Sequence, residues 1–282
     1  MKFYIIPNMT RENAFSVTVR LLEEIKRLDG CAFITKGLEE TFGENQIISY
    51  CEGEDAINRV DAVISVGGDG SFINAAKIAT EYNKPIICIN AGKLAYLACL
   101  EADELSLLKN VVDGNYVTEK RMMLDVSIVD KTGEILYHSS CINDAVLSRS
   151  GSIRIMKLSA LCNGIPLIDY MADGAIVATP TGSTAYSLSA GGPIVEPSVE
   201  SILLTPVCSH SVFSRSIVLG GNSLLELAHD NSGEAILSCD GQAAVLVPDS
   251  AKVVVKKSHK SAEFIKIKQD TFIDILNKKI SG

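Results

Sequence analysis

A glycine-rich segment at residues 67–71, Gly-Gly-Asp-Gly-Ser, stands between an apolar run and a helical pattern. Glycine lets the backbone approach a ligand closely, and the start of a helix offers unpaired N–H groups to phosphate oxygens. The segment therefore predicts an anion-binding turn; the alternative is a tight turn in which Asp69 caps the helix. A dinucleotide-binding fingerprint is excluded because Ile73 stands where its third glycine should be, and no Walker-type lysine motif is present.

Two further segments carry polar side chains suited to ligand binding. Residues 173–193 run from a predicted strand through a hydroxyl-rich turn to Gly-Gly-Pro. Asn143 and Asp144 place an amide beside a carboxylate, and such a pair suits the paired hydroxyls of a ribose, which both donate and accept. The alternative for this dipeptide is a turn that bonds to its own backbone, and the two residues alone favour that alternative.

The predicted secondary structure that positions these segments changes along the chain from alternating strands and helices to mainly strands. Apolar runs at residues 3–6, 62–66 and 86–89 predict buried strands, and helical periods follow the first two. Buried strands that alternate with helices indicate a parallel α/β sheet. Beyond about residue 120, turn chemistry separates predicted strands at residues 125–129, 135–138, 154–161, 217–219 and 252–255. Asn163-Gly164 is a hairpin signal within this part.

The predicted fold class is therefore α/β plus β, with an N-terminal parallel α/β domain and a C-terminal β-rich domain. Residues 1–119 form the first domain and carry the glycine-rich turn, and residues 120–263 form the second. The tail at residues 264–282 has a predicted strand at 264–267 and a predicted helix at 271–280, so we expect it to return to the first domain.

The amino-acid composition and net charge limit the kinds of binding partner that we expect. The chain of 282 residues is 47% hydrophobic with a net charge of −8, which argues against nucleic acid and anionic membranes as partners. The eight cysteines lie mostly in apolar runs without a Cys-x-x-Cys pair, and the four histidines show no metal-ligand spacing. We therefore expect reduced, buried thiols, no protein-held metal site, no transmembrane segment and a cytoplasmic location.

Residues 173–187, Asp-Gly-Ala-Ile-Val-Ala-Thr-Pro-Thr-Gly-Ser-Thr-Ala-Tyr-Ser, resemble the signature of the NAD kinase family. The turn at residues 67–71 occurs also in phosphofructokinases and in diacylglycerol and sphingosine kinases, so the longer stretch decides between these families. Further segments agree with the NAD kinases in order along the chain: Asn90-Ala91-Gly92, Arg121-Met122-Met123-Leu124, Asn143-Asp144, Leu204-Thr205-Pro206, His210-Ser211 and Asp240-Gly241-Gln242.

The resemblance assigns roles to individual residues. It implies that Asp69 takes the proton from the 2′-hydroxyl of the adenosine ribose, and that Asn143 and Asp144 bond to ribose hydroxyls. It places Asp173 against the exocyclic amine of the base. Three residues would lie beside the phosphates: Gly68, Gly70 and Ser71. Four would contact the adenosine, with core packing as the alternative for the last of them: Thr181, Thr184, Ala185 and Tyr186.

The resemblance also places Asn90 and Tyr96 near the nicotinamide end of the dinucleotide, and His210 at another position beside it. Many family members carry glycine, phenylalanine and arginine where this chain has Ala95, Tyr96 and Met171. The missing arginine removes a fixed positive charge from the expected binding site for the dinucleotide phosphates.

The activity that the resemblance implies is transfer of a phosphoryl group from ATP or polyphosphate to NAD, which gives NADP. Mg²⁺ is the implied cofactor, and the implied assembly is a homo-oligomer, a dimer or a tetramer. Two alternatives stay open at this point. One is a lipid or sugar kinase that shares the glycine-rich turn, and the other is a non-catalytic NAD(P)-binding sensor that has lost turnover.

Overall fold

The computed structural model describes residues 1–92, 95–151, 155–230 and 234–280. The chain divides into two compact domains. Met1–Lys120 and Ala262–Gly282 form the N-terminal domain, and Arg121–Ser261 form the C-terminal domain. The sequence placed the corresponding limits at 119/120 and 263/264.

Strands and helices alternate along the N-terminal domain. They are β1 (Lys2–Pro7), α1 (Ala14–Arg27), β2 (Cys31–Ile34), α2 (Glu39–Phe42), β3 (Ile48–Tyr50), α3 (Gly53–Ile57), β4 (Ala62–Gly67), α4 (Asp69–Glu81), β5 (Ile86–Asn90) and α5 (Leu108–Val112).

Strands dominate the rest of the chain. They are β6 (Val117–Val129), β7 (Ile135–Cys141), β8 (Asp144–Arg149), β9 (Met156–Cys162), β10 (Ile165–Ala172), β11 (Gly174–Ala178), β12 (Ser201–Val207), β13 (Ile217–Gly220), β14 (Leu225–His229), β15 (Ala235–Cys239), β16 (Val245–Val247) and β17 (Lys252–Lys266). The helices of this part are α6 (Tyr186–Ser189) and, at the C-terminal end, α7 (Phe272–Ile280).

The N-terminal domain is built on a parallel sheet in the order β5-β4-β1-β2-β3. Every residue of β4 is buried, as expected of a strand covered on both faces. Helix α1 buries one apolar face that includes Leu21 and Ile25. Next to β5, β17 extends the sheet: Phe264 of β17 pairs in parallel with Ile86 of β5. The predicted parallel α/β domain is confirmed.

The C-terminal domain is built from antiparallel pairs. One sheet has the order β13-β12-β11-β8-β15-β16, and a second set of pairs joins β10, β9, β14 and the first part of β17. Between β9 and β10, Asn163 and Gly164 have φ angles of 52° and 77°, which a two-residue hairpin of type I′ requires. The predicted β-rich domain and its hairpin are confirmed.

Two predicted strands prove to be one. The sequence suggested separate strands at residues 252–255 and 264–267, whereas β17 runs without a break from Lys252 to Lys266. The intervening residues are mostly polar, which hid the strand, although Ser258 and Ala262 are buried on one face. The strand predicted at residues 154–161 is observed as β9; residue 154 lies outside the described residues.

Candidate active site

The glycine-rich turn joins the end of β4 to the start of α4. A Cβ atom on Gly67 would lie 2.6 Å from Ser71 Oγ and 3.2 Å from Asn8 Cβ, so only glycine allows these side chains to approach. Asn8, which follows β1, donates a hydrogen bond of 2.7 Å from Nδ2 to Ser71 Oγ. The end of β1 therefore supports the first turn of α4, a contact that the sequence did not reveal.

The other two glycines of the turn face open space. A Cβ atom on Gly70 would meet no atom within 4 Å, and one on Gly68 would meet only Arg11 Nη2, at 3.8 Å. Because the first N–H groups of a helix have no helical carbonyl partner, an anion can approach this backbone. Arg11, which was not among the predicted residues, brings a guanidinium group to the same place.

Asp69 is the first residue of α4, and its carboxylate binds the chain that follows β5. Oδ2 accepts a hydrogen bond from the Tyr96 backbone N–H and Oδ1 accepts one from Leu97, both at 2.9 Å. The turn and Tyr96 were predicted for one site, and the structure brings them together. A carboxylate can accept about four hydrogen bonds, so two amide donors leave it able to bind a substrate hydroxyl.

Asn90, at the end of β5, is buried and shapes the same connection. Its Nδ2 donates to Glu101 Oε2 at 2.8 Å, and its Oδ1 accepts from the Gly92 N–H at 2.8 Å. Residues 93 and 94 lie outside the described residues. Both polar atoms of the Asn90 amide therefore bond to residues of the loop that follows β5. Asn90 fixes the shape of this loop.

In the C-terminal domain, Asn143 and Asp144 lie at the start of β8, where Asp240 holds their backbone. The Asp240 carboxylate accepts hydrogen bonds from the N–H groups of Ile142, Asn143 and Asp144 at 2.9, 2.8 and 3.1 Å. These backbone N–H groups therefore bond to a side chain that lies 97 residues beyond Asn143 in the sequence.

Asp144 is an unusual carboxyl group. Its side chain is buried, and this burial, together with the negative charge of Asp240, raises the pKa of Asp144 to about 7. Burial removes the water that would stabilise the charged form, and a second carboxylate nearby adds repulsion. Perturbed carboxyl groups of this kind are concentrated at functional sites.

The hydroxyl-rich turn packs directly on Asn143. Thr179 donates two hydrogen bonds here: its N–H donates to Asn143 O at 2.8 Å and its Oγ1 donates to Ile142 O at 2.6 Å. Gly182 approaches so closely that a Cβ atom there would lie 2.1 Å from Asn143 O. The structure therefore brings together two motifs that are far apart in the sequence.

The predicted adenosine-binding residues of this turn differ in exposure. Thr181 is buried at the start of a 3₁₀ turn, whereas Thr184 and Ala185 are partly exposed. The side chain of Tyr186, the first residue of α6, is 47% exposed. Core packing, the alternative considered for Tyr186, is therefore wrong, and its ring is open to a partner.

Asp173 already has a cationic partner. Its Oδ1 accepts a hydrogen bond of 2.8 Å from Arg149 Nε, and this bond holds the pKa of the Asp173 carboxyl below its ordinary value. His210 is exposed, and its backbone N–H donates to Met171 O at 2.7 Å. The chain thus has methionine at residue 171, and Arg149, at the end of β8, is bonded to Asp173.

Several other expectations concern the whole chain. Within the described ranges, no group of three or more His, Cys, Asp or Glu side chains is arranged to hold a metal ion. No helix in the same ranges is long and apolar enough to cross a membrane. All eight cysteines are free, but Cys31 and Cys208 are exposed, so the prediction that the thiols are buried is wrong for these two.

Comparisons with known proteins place these features in a family. The family model of the ATP-NAD kinase N-terminal domain matches residues 6–116, and that of the ATP-NAD kinase C-terminal domain matches residues 142–267. A NAD kinase of Symbiobacterium thermophilum is 40% identical over 283 aligned positions, which cover 100% of this chain and 99% of that protein. A NAD kinase of Acetivibrio thermocellus is 34% identical, with coverage of 99% and 97%.

Solved structures agree on the fold. Yeast NADH kinase complexed with NADH superposes with a TM-score of 0.90 at 24% identity, covering 100% of this chain and 87% of that one. An NAD kinase from Archaeoglobus fulgidus in complex with ATP superposes with a TM-score of 0.75 at 22% identity, with coverage of 100% and 99%. At such identities the likeness concerns the fold, while the relatives above are similar in sequence along their whole length. On the family-model matches and these sequence relatives, the chain belongs to the NAD kinase family of phosphotransferases.

Proposed function

We propose that this kinase transfers the terminal phosphoryl group of ATP to the 2′-hydroxyl of the adenosine ribose of NAD, with NADP as the product and inorganic polyphosphate as a possible second donor. The observation that carries the proposal is the position of Asp69. Its carboxylate lies in the first turn of α4, next to two glycines whose Cβ positions leave room for phosphate. Phosphoryl transfer requires little more from a protein than charge neutralisation, positioning and a proton acceptor.

The residues of the N-terminal domain would act on the phosphates and the proton. Backbone N–H groups at Gly68 and Gly70 would bind donor oxygens, and Ser71, held by Asn8, would lie beside them. Asp69 would accept the proton of the attacking hydroxyl while its two amide bonds fix the orientation of the carboxylate. Asn90 and Tyr96 would fix the loop that those amides belong to.

The residues of the C-terminal domain would hold the dinucleotide. Asn143 and the ionised Asp144 would bond to ribose hydroxyls, and the exposed ring of Tyr186 would cover a base. Asp173, whose Oδ1 accepts from Arg149 Nε, would accept from the exocyclic amine. The remaining contacts would come from the side chains and backbone of Thr181, Thr184, Ala185 and His210.

Mg²⁺ fits this site as a metal carried by the nucleotide. Magnesium keeps several waters and binds through one or two carboxylates and substrate phosphates, so it needs no protein-held cluster. When bound, the metal would neutralise the charge of the donor phosphates.

The free thiols support a reducing compartment, and we propose the cytoplasm. A homo-oligomer is proposed on the resemblance to the family, and light scattering of the purified protein tests it directly. A single monomeric mass over the micromolar range would rule the assembly out.

The test of the activity offers purified protein two acceptors, NAD and NADH, and two donors, ATP and polyphosphate, each with Mg²⁺. NADP should form from NAD and ATP, as measured with an NADP-specific dehydrogenase, and a chelator should stop the reaction. Binding of NAD without any turnover would indicate a sensor. Phosphorylation of a sugar or of diacylglycerol in place of NAD would overturn the proposal.

A further inference from the structure

Asp240 directly follows β15, and its carboxylate binds backbone at the start of β8. Its φ angle is 51°, in the left-handed region that side chains other than glycine seldom adopt. In this conformation its carboxylate accepts from three consecutive N–H groups, those of residues 142, 143 and 144. Its own N–H donates to Asp144 O at 2.9 Å. The unusual backbone conformation of Asp240 thus occurs at the point where its carboxylate binds residues 142–144.

The opposite side of the same segment is held by Thr179. Its N–H and its Oγ1 donate to the carbonyls of Asn143 and Ile142. Asp240 therefore binds the N–H groups and Thr179 binds the carbonyls, so the peptide at residues 142–144 has little freedom to rotate. The directions in which the Asn143 and Asp144 side chains leave the backbone follow from these contacts.

Asp240 also acts on Asp144 by charge. Burial and the Asp240 carboxylate both disfavour the ionised form of Asp144, and among the described residues Asp240 is the charged group that contributes to this shift. A neutral acceptor such as an asparagine oxygen could hold one N–H without this effect. The structure instead pairs two acids, one of which is stabilised by three amide donors while the other bears the repulsion.

We propose that Asp240 is a positioning residue of the ribose-binding site, which fixes Asn143 and Asp144 through their backbone. The inference rests on the proposed function, since it assumes that Asn143 and Asp144 bind the ribose. Asp240 itself would touch no substrate atom. It would act on the affinity for NAD through its two neighbours.

The sign of the effect follows from the role of Asp144. A ribose hydroxyl donates to the ionised carboxylate, so NAD should bind fully above about pH 7 and more weakly below it, where Asp144 is protonated. Asp240→Asn removes the repulsive charge, so the pH at which affinity is half lost should move down. The same change places an amide donor against N–H donors, so affinity at high pH should fall about 10-fold or more.

The experiment measures the dissociation constant of NAD by calorimetry between pH 5.5 and 8.5 for wild type and Asp240→Asn. Asp249→Asn is the matched control, because it removes one charge from an exposed residue of the same domain. The expected result is weaker binding by Asp240→Asn at pH 8.5 together with a flatter pH dependence, while Asp249→Asn follows wild type. An NAD affinity of Asp240→Asn equal to that of wild type at pH 8.5 would overturn the inference.

A second set of measurements uses the wild-type protein and the Asp144→Asn variant, so it does not depend on the folding of Asp240→Asn. Carbon-13 NMR of the Asp144 carboxyl in the wild-type protein without ligand should show a titration near pH 7, and the Asp144→Asn variant should lose the acid fall in NAD affinity. Titration of Asp144 at the ordinary pH of an aspartate would overturn the coupling to Asp240. If Asp144 titrates near pH 7 and NAD does not bind at any pH, the proposed function fails while the raised pKa of Asp144 stands.

Discussion

Replacing Asp144 by asparagine should make the folded protein more stable at neutral and alkaline pH. The carboxyl group is buried, and its pKa is raised from 3.8 to about 7. Each pKa unit corresponds to about 1.4 kcal/mol, so ionised Asp144 lowers the free energy of unfolding by about 4 kcal/mol at most. The amide that replaces it must also be buried, which reduces the net gain to about 1–4 kcal/mol.

The pH dependence distinguishes this effect from ordinary packing. A group whose pKa is higher in the folded than in the unfolded protein contributes stability in full below its unfolded pKa. For Asp144 that contribution is present below about pH 4 and is lost as the pH rises to about 7. The Asp144→Asn variant lacks this loss, so its advantage over wild type should be small at pH 5 and should grow up to pH 8.

The assay is urea unfolding followed by circular dichroism at pH 5, 6, 7 and 8, with Asp249→Asn as the control. Because Asp249 is exposed, its replacement should change stability little and without this trend. The reasoning is refuted if the difference between Asp144→Asn and wild type is the same at pH 5 and pH 8. It is also refuted if the variant is the less stable protein at pH 8.

Four further substitutions test the site. Asp69→Asn should lower kcat by about 10²–10⁴, because the amide cannot take the proton. It should also lower the free energy of unfolding by about 1–3 kcal/mol, because an amide accepts from only one of the two N–H groups that the carboxylate binds. An unchanged kcat would remove Asp69 from catalysis. Gly70→Ala should fold normally yet lose activity, since its Cβ meets no protein atom. Gly182→Ala should instead lower the melting temperature, because its Cβ would overlap Asn143. Full activity in Gly70→Ala would exclude close approach of phosphate at that residue. Tyr186→Ala should weaken NAD binding by about 1–3 kcal/mol with little change in melting temperature, because the residue is 47% exposed. Unchanged NAD binding in calorimetry together with a large fall in melting temperature would assign the ring to packing.

Much of the fold follows from local sequence patterns. Apolar runs such as β4 predict buried parallel strands because both faces of such a strand are covered. Asn163-Gly164 predicts a hairpin because the two residues tolerate the positive φ angles of a type I′ turn. The polar centre of β17 gave no such signal, since its alternation of buried and exposed residues is carried by Ser258 and Ala262 rather than by large apolar side chains.

The site was predictable only in part. The glycine-rich turn and the hydroxyl-rich turn are contiguous in sequence, so their chemistry can be read from neighbouring residues. The residues that support them are distant: Asn8 bonds to Ser71 across 63 positions, and Asp240 bonds to Asn143 across 97. Asp240 stood in a segment noted for its resemblance to the family, but nothing local shows that its carboxylate would face three amides.

The central claim is that this chain phosphorylates the adenosine ribose of NAD. The most direct test supplies ATP labelled with phosphorus-32 in its terminal phosphate, together with NAD and Mg²⁺, and follows the label. The account predicts that the label appears in a dinucleotide that an NADP-specific dehydrogenase accepts, and that a 2′-specific phosphatase releases it. Label that stays in ATP or appears only as inorganic phosphate, with a folded protein that binds both nucleotides, would contradict the claim.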